Sequence, residues 1–460
     1  MSDAGQESFD VAIVGAGVVG CALARQFTLD GARVAILEKA ADVLDGASKG
    51  NSAILHTGFD APEGSLEVQC MREGYRLYLE IHERLGLPLI RSGALVLAWN
   101  EAQQAELPGL IERAHANGVS NVEPLTRQEI LDLEPHLSQG VTGGFRVPGE
   151  YLIDPWSAAH AYLLQAIENG ARLYRGSEVL SGSRSGGRWH LETSSGRLSA
   201  SLVINAAGLF GDIVDKRITG ESWFTIRPRK GQFVVYDKPA SALAGHILLP
   251  VPTKTTKGIV VCRTAFGNLL VGPTAEEQED REHALLDTET MTALAAKAEE
   301  ILPELRHHQV NAIYAGLRPA TEEKDYRIRT DLAEDYICVG GIRSTGLSAA
   351  LGIAAHVARL AARKDTTLES PVWPKMPMIS EYGKRDWCEP GNGGIVCLCE
   401  MVTRREIDNA LIGPLAACSM GGLKRRTRVT MGRCQGFYCS AELARITYGR
   451  LAEPMLAGDD

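Results

Sequence analysis

Residues 9–39 read FDVAIVGAGVVGCALARQFTLDGARVAILEK. An apolar run at 11–14 leads into Gly15, Ala16, Gly17, Val18, Val19 and Gly20. Apolar residues then recur at helical spacing, and a second apolar run at 34–37 closes on Glu38. The pattern predicts strand, glycine-rich turn, helix and strand, with an acid about 20 residues beyond the glycines. Each part has a task. Gly15 permits the sharp turn, Gly17 lets the backbone approach a pyrophosphate, and Gly20 lets the helix pack closely on the sheet. The free N–H groups and positive end of the helix attract the phosphates. Glu38 can accept hydrogen bonds from a ribose diol and repels a 2′-phosphate, which favours FAD or NAD over NADP. A chance GxGxxG in a glycine-rich chain is the bland alternative. The strand, helix and acid in their places count against it, but the motif does not choose between the dinucleotides.

The chain has 460 residues, too many for one ordinary core, so two or three structural units are expected. Hydrophobic content of 45%, charged content of 23% and 48 glycines describe a globular protein with many tight turns. The net charge of −9, with His neutral, argues against a nucleic-acid binder, whose phosphate contacts need surplus Lys and Arg. No segment approaches the roughly 18–20 uninterrupted apolar residues that span a bilayer. The polar, acidic opening MSDAGQESFD is unlike a secretory signal. Ten cysteines over this length are not the framework of a small disulfide-rich secreted domain. A reducing cytoplasm is expected, with peripheral attachment to the inner face of the cytoplasmic membrane left open.

Three further stretches favour a flavin. SLVINAAGLFGD, at 201–212, reads as a buried strand running into a small-residue turn against which a nucleotide can lie. DYICVGGIRSTGLSAALGIAAHVARLAARK, at 335–364, reads as a strand at 336–339, a glycine-rich turn and a long helix opening near Gly346 and ending near Lys364. A helix N-terminus there stabilises negative charge on the N1–C2=O side of a reduced isoalloxazine. ASKGNSAILHTGFDAPEGS, at 47–65, follows Glu38 too quickly for a plain NAD-binding fold and carries His56 among small residues.

With GAGVVG…LEK, SKGNSAILHTGFD, NAAGLFGD, RPRKGQ, VGPTAEE, YAGLRPAT and GGIRSTGLSAA in this order, the chain resembles the D-amino-acid-oxidase superfamily of FAD enzymes. Within it, the match is to the branch of glycerol-3-phosphate dehydrogenases and oxidases, with the related L-2-hydroxyglutarate dehydrogenases. The resemblance spans residues 8–365. It implies an α/β fold, a Rossmann-like FAD-binding domain interleaved with an antiparallel-sheet (α+β) substrate domain that covers the flavin. The expected divisions are 1–95, 152–220 and 325–365 for the FAD-binding domain, and 96–151 and 221–324 for the substrate domain.

The resemblance also implies site residues. Cofactor contacts are expected from Gly15, Gly17 and Gly20, from Glu38 and Lys39, and from Ser48, Asn51 and Ser52. Val179, Ala207 and Gly208 follow, and then Arg318, Gly341, Thr345, Gly346 and Leu347. His56 matches the family's flavin-proximal histidine. A neutral imidazole near pH 7 suits acceptance of the hydroxyl proton while hydride passes to flavin N5; a histidine bonding a turn, or one attached to flavin, is the alternative. Arg318 matches the arginine that faces the substrate's anionic or oxygen end, and a planar guanidinium grips a carboxylate or phosphate by two parallel bonds. Lys230, in IRPRKGQ, matches a lysine near the active site, and Ser344 a polar residue close to flavin and substrate. Arg227 and Arg229 read equally well as a solvated turn. Such a group of cations in a net acidic chain suggests an anionic substrate, phosphate or carboxylate. Residues 274–305 read as an acidic loop and then an amphipathic helix, and 100–118 as another such helix; no catalytic role is expected of either.

Beyond the long helix, 366–394 is rich in Pro and Gly and reads as a linker to a separate module at 395–460. The module carries Cys397-x-Cys399, 34 intervening residues, and Cys434-x4-Cys439. Between the pairs, TRREIDNALI reads as a helix and GGLKRRTRVTMGR as a basic turn. Four thiolates from two turns bind zinc tetrahedrally or hold a 2Fe-2S cluster, and one residue between the first two is short for structural zinc. VCLCE, GLKRRTR and MGRCQGFYC resemble the bacterioferritin-associated-ferredoxin-like 2Fe-2S domain, in the version found at the C-terminus of anaerobic glycerol-3-phosphate dehydrogenase large subunits. That resemblance makes Cys397, Cys399, Cys434 and Cys439 the cluster ligands. Cys418 and Cys388, like Cys21, Cys70, Cys262 and Cys338, read as buried small hydrophobes.

Together these readings predict an FAD-dependent dehydrogenase that oxidises a small anionic alcohol, by resemblance sn-glycerol 3-phosphate to dihydroxyacetone phosphate. A flavin takes two electrons as hydride and a cluster passes one at a time, so electrons are expected to leave for a quinone or a redox protein, with partner subunits left open. The alternatives are a 2-hydroxy acid such as L-2-hydroxyglutarate, an amino or imino acid, or an electron-transfer subunit without chemistry of its own. So small a module builds little core, so metal also stabilises its fold, and a purely structural cluster stays in play.

Overall fold

The computed structural model describes residues 7–252, 258–362, 367–452 and 455. The expected helix end near Lys364, and the outer ends of the divisions at 1, 365 and 460, lie outside them.

The strand–turn–helix–strand reading of 9–39 holds, as Glu7–Val14, Val18–Leu29 and Val34–Leu37. Glu7–Val14 sits at the middle of a parallel sheet, between Val34–Leu37 and Gly196–Asn205. Arg172–Tyr174 and Tyr336–Gly340 extend it on the two sides, also in parallel. Every residue of Val34–Leu37 and Tyr336–Gly340 is buried, as strands covered on both faces must be. An antiparallel ribbon, Val179–Ser185 with Arg188–Thr193, branches from the outer half of Gly196–Asn205. Helices Val18–Leu29, Leu66–Ile81, Pro155–Glu168 and Gly346–Ala361 pack together over the sheet. Two of them touch backbone to backbone. A Cβ on Gly74 would stand 2.2 Å from Ser348 O, and one on Gly352 2.0 Å from Cys70 O.

The second sheet is built on Arg227–Tyr236 and Val310–Ala320, paired antiparallel with Arg229 opposite Arg318. It continues through Leu269–Gly272, Val260–Arg263, Ile247–Pro250, Ala94–Ala98, Gly143–Val147 and Glu123–Thr126. The expected division at 95/96 is corrected here. Ala94–Ala98 pairs along its length with Gly143–Val147 and against Ile247–Pro250, so the whole strand belongs to the second unit. The chain changes unit at the turn through Gly93, where φ is +66°. The two amphipathic readings stand as helices Glu101–Ala116 and Thr288–Ile301, each started by a side-chain cap, Asn100 and Asp287.

Residues 367–394 are a fastened strap rather than a free linker. Met376 N donates to Leu85 O at 2.8 Å, and Ser380 Oγ donates to Ala265 O at 2.7 Å. The Arg84 guanidinium lies 3.6 Å from the centre of the Trp373 ring, and Ile379 is buried in the core of the second sheet. A strap takes its contacts from whatever it crosses, which is why it has no period of its own.

The C-terminal module holds a hairpin, Ile395–Cys397 with Val402–Thr403, and helices Arg404–Ala410, Met420–Thr427 and Ser440–Thr447. The basic stretch expected as a turn is thus largely a helix. Its two glycines disfavour that, but Ser419 caps it and its arginines are drawn against acids of the first unit. The module has a small core of its own around Ile407, Leu423, Val429 and Leu443. Nor is it separate. Arg175 donates to Ala416 O at 2.6 Å, Arg425 donates to Val43 O at 3.1 Å, and Arg433 pairs with Asp237 of the second unit. Among the described residues no helix is long and apolar enough to cross a membrane.

Candidate functional site

The parallel strands deliver Val14, Leu37, Ala206 and Val339 to the edge of a cavity of about 880 Å³, whose far wall is the second sheet. Ligands of open α/β sheets bind at this end of the strands. Of the residues expected to hold cofactor, Gly15, Gly17, Glu38, Lys39, Ser48, Asn51, Ser52, Val179, Ala207, Gly208, Arg318, Gly346 and Leu347 line the cavity, and so does Ser344. Gly20, Gly341, Thr345, His56 and Lys230 are not in its lining.

The glycine-rich turn is built by close approach. Gly15 has φ +103°, and a Cβ on Gly20 would stand 1.9 Å from Gly15 O, so Gly20 acts through packing, as the motif requires. Glu38 fastens the turn. Its Oε2 accepts from Ala16 N at 2.8 Å and its Oε1 from Ala40 N at 2.9 Å. Burial pushes this carboxyl up from its ordinary range, against the pull of those two amides. A carboxylate offers about four acceptor sites, so two remain for a ribose diol. Ser48 Oγ accepts from Val18 N at 3.0 Å and ties the 47–52 segment to the same helix start. On the opposite side, helix Gly346–Ala361 begins at the cavity. Thr345 supports that corner from behind, donating to Glu67 Oε1 at 2.8 Å and sharing a 2.7 Å bond with Tyr326 OH. Gly341, at φ +66°, serves the turn before it.

The cations are unequal. Arg318 is in the cavity wall, and Nη2 donates to Thr274 O at 2.9 Å. Burial first, and then the like charges of Arg229 and Arg343, push its guanidinium down to about 10. Arg343, also in the lining, is pushed down by burial and by Arg229. Such a concentration of positive charge favours an anion in the space between. Lys230 is engaged elsewhere. Its Nζ pairs with Glu276 at 3.0 Å and donates to Leu285 O at 3.0 Å. Burial works against ionisation of Glu276, yet hydrogen bonds from Gln232, Thr274 and Lys230 hold it below the usual range.

Those partners belong to the acidic loop, of which the sequence led to no expected catalytic role. Residues 281–285 cross the cavity and form part of its lining. Arg281 Nη2 donates to Asp212 Oδ2 at 2.9 Å, and Lys39 Nζ pairs with Glu282 at 2.9 Å while lying 3.4 Å from the centre of the Phe210 ring. A single arginine inside an acidic run was the one sign of this clasp in the sequence.

His56 stands beside the cavity, between lining residue Ser52 and the helix start. Its backbone N donates to Ser348 Oγ at 2.8 Å, next to lining residue Leu347, and its Nδ1 lies 2.7 Å from Glu150 Oε2. The side chain is 20% exposed.

In the module, Cys399 lies beside Cys434 and Cys397 beside Cys439, so the two turns bring their sulfurs together. The Tyr438 amide, with further help from Cys399, Gly436 and Phe437, draws the Cys434 thiol below its ordinary value. Backbone amides aimed at a sulfur are what a thiolate ligand needs. Each pair draws one sulfur from either turn, an arrangement that fits four-thiolate ligation of a 2Fe-2S cluster. Cys21, Cys70, Cys262 and Cys338 are buried as expected, whereas Cys388, in the strap, is exposed, and Cys418, in the irregular chain before helix Met420–Thr427, is half-buried.

Residues 10–360 match the family model described as FAD dependent oxidoreductase, and 395–447 that of the BFD-like 2Fe-2S binding domain. The chain is 32% identical over 458 residues to a glycerol 3-phosphate dehydrogenase of Caloramator mitchellensis, covering 97% of this chain and 95% of that one. It is 25% identical to one subunit of the anaerobic glycerol-3-phosphate dehydrogenase of Escherichia coli K12, over 95% of this chain and 88% of that one. The solved L-alpha-glycerophosphate oxidase of Mycoplasma pneumoniae, with FAD bound, superposes with a TM-score of 0.77 at 28% identity, over 81% of this chain and 100% of that one. The residues present fit both cofactors, and the chain belongs to the FAD dependent oxidoreductase family, with a 2Fe-2S domain at its C-terminal end.

Proposed function

We propose that this chain oxidises sn-glycerol 3-phosphate to dihydroxyacetone phosphate and passes the electrons to a quinone or a redox protein. The observation that carries the reading is the trio of guanidiniums, Arg318 and Arg343 in the cavity wall with Arg229 close by. They suit a dianionic phosphate better than a neutral substrate. The names of the relatives favour phosphate over carboxylate.

In this reading FAD, when bound, supplies the two-electron acceptor for the hydride leaving the substrate carbon. Gly15 and Gly17, with the helix starts at Val18 and Gly346, hold its phosphates and ring, and Glu38 its ribose. Arg318 and Arg343 hold the substrate anion, Ser344 orients the alcohol, and His56 takes the hydroxyl proton at Nε2. Lys230 holds the 276–287 segment over the site. Cys397, Cys399, Cys434 and Cys439 would hold the cluster, which when bound would supply one-electron chemistry. The chain acts in the cytoplasm, docked on partner subunits or at the inner membrane face, consistent with the subunit naming of the Escherichia coli relative.

Anaerobic addition of glycerol 3-phosphate, L-2-hydroxyglutarate, glycine and L-proline to the purified holoenzyme tests this. Bleaching of the flavin by glycerol 3-phosphate alone is expected. Bleaching by one of the others, with glycerol 3-phosphate inert, would reject it.

A further inference from the structure

Glu150 has no exposed surface. Three donors converge on it. His56 Nδ1 lies 2.7 Å from Oε2, and Thr57 N and Thr57 Oγ1 donate to Oε1 at 2.7 and 2.8 Å. The turn that carries Glu150 is itself held. Tyr75 OH donates to Gly149 O at 2.8 Å, the Tyr75 and Tyr151 rings stack at 6.0 Å, and Arg91 lies 5.3 Å from the centre of the Tyr151 ring. The strands on either side also pair, Leu55 with Tyr151 and Ile54 with Leu152. The close fit leaves no room to spare, since a Cβ on Gly149 would stand 2.9 Å from Thr57 Cγ2.

We infer that Glu150 is the positioning residue that fixes the tautomer and aim of His56; this rests on the reading of His56 as the proton acceptor. One carboxylate oxygen is taken up by Thr57, so the carboxylate cannot swing, and the other is left to His56 alone. A carboxylate surrounded by donors is an acceptor, so Nδ1 carries the proton and Nε2 keeps its lone pair. Among the described residues nothing bonds Nε2. The proton balance then closes. The substrate O–H bond breaks, an N–H bond forms at Nε2, and the electron pair left on oxygen becomes part of the carbonyl as the carbon's hydride passes to FAD. The alcohol loses two electrons and FAD gains them. The positive charge that develops on the imidazole is met by Glu150 on its far side. A glutamate that merely pinned the 54–59 turn would need only its bonds to Thr57.

Glu150→Gln is the test, since glutamine keeps the shape but presents an N–H to Nδ1 and so favours the wrong tautomer. In anaerobic stopped-flow experiments with glycerol 3-phosphate, the limiting rate of flavin reduction is expected to fall roughly 10²-fold or more, while half-saturation moves by less than threefold. Flavin content should stay unchanged. A second readout needs no turnover: ¹⁵N-histidine NMR of the wild-type holoenzyme, with His56 assigned by its loss in His56→Gln, should show a protonated Nδ1 and a bare Nε2. A wild-type Nε2–H tautomer overturns the inference even where the glutamine variant does not fold. Slow reduction in His56→Gln with normal reduction in Glu150→Gln overturns the inference alone; normal reduction in His56→Gln overturns the base reading beneath it.

Discussion

Asp42 and Arg426 face each other across the seam between the nucleotide-binding sheet and the cluster module, with Arg426 Nη2 donating to Asp42 Oδ1 at 2.8 Å. Both side chains are nearly out of solvent, and Asp42 Oδ2 also accepts from Cys418 N at 2.9 Å. Burial pushes the Arg426 guanidinium down and Asp42 pulls it back. Removing one partner of a buried pair leaves an uncompensated charge, at about 3–5 kcal/mol. Asp42→Ala should therefore undock the module. Calorimetry should show its unfolding as an earlier, separate transition, with iron lost on gel filtration and FAD retained.

On the proposed role of Arg318, its grip on the substrate anion depends on Gly231. A methyl there would stand 2.3 Å from Arg318 Nη2, so Gly231→Ala should displace the guanidinium. Loss of a charge-assisted bond costs about 1.5–3 kcal/mol, and the KM for glycerol 3-phosphate should rise by roughly ten- to a hundredfold with a smaller change in kcat.

The pH dependence of that grip has a direction. Burial and like charges hold Arg318 down at about 10, so its charge is fully present below that pH and is lost as pH rises through it. A bound anion favours the charged form and moves the loss upward. The KM for an anionic substrate should climb as pH passes about 10, in a range where an exposed arginine would still be charged. A flat KM up to pH 11 in stopped-flow measurements would contradict the burial of this group.

Lys230 should matter to retention rather than to chemistry. Its pair with Glu276 and its bond to Leu285 O hold the clasp, and partly exposed pairs contribute up to about 1 kcal/mol. Lys230→Ala should release FAD several-fold faster on dilution while flavin reduction at saturating substrate stays within a factor of three. A hundredfold fall in reduction rate would instead give the lysine a role on the substrate.

Cys434→Ser should separate the two cofactors. Iron and its visible absorbance should vanish, flavin bleaching by substrate should continue, and reduction of one-electron acceptors should fall at least tenfold. Because metal binding contributes to folding so small a core, the module's melting temperature should also drop.

Much of this was legible in the sequence because it rests on local chemistry. The glycines at 15, 17 and 20 with Glu38 mark a turn whose parts lie within one strand–helix–strand unit. The four cysteines come as two short spacings. What stayed hidden depends on pairing across long separations. Nothing near Glu150 marks it as the partner of His56, 94 residues away. The strap at 367–394 and the clasp at 281–285 owe their shapes to surfaces they cross, and neither has a period of its own. Arg425 and Arg426 read as part of a basic turn, because the acids they meet, Asp45 and the buried Asp42, lie near the other end of the chain.

The pairing of Tyr336–Gly340 with Gly196–Asn205 also sets an order of manufacture. On a ribosome, the wall carrying Val339, Ser344 and Gly346 is delivered last of those around the cavity, so no shorter nascent chain can close the nucleotide site. The four thiols emerge later still. Flavin capture can thus precede iron loading in the life of each molecule, and stalled chains released just past the strap should already be yellow.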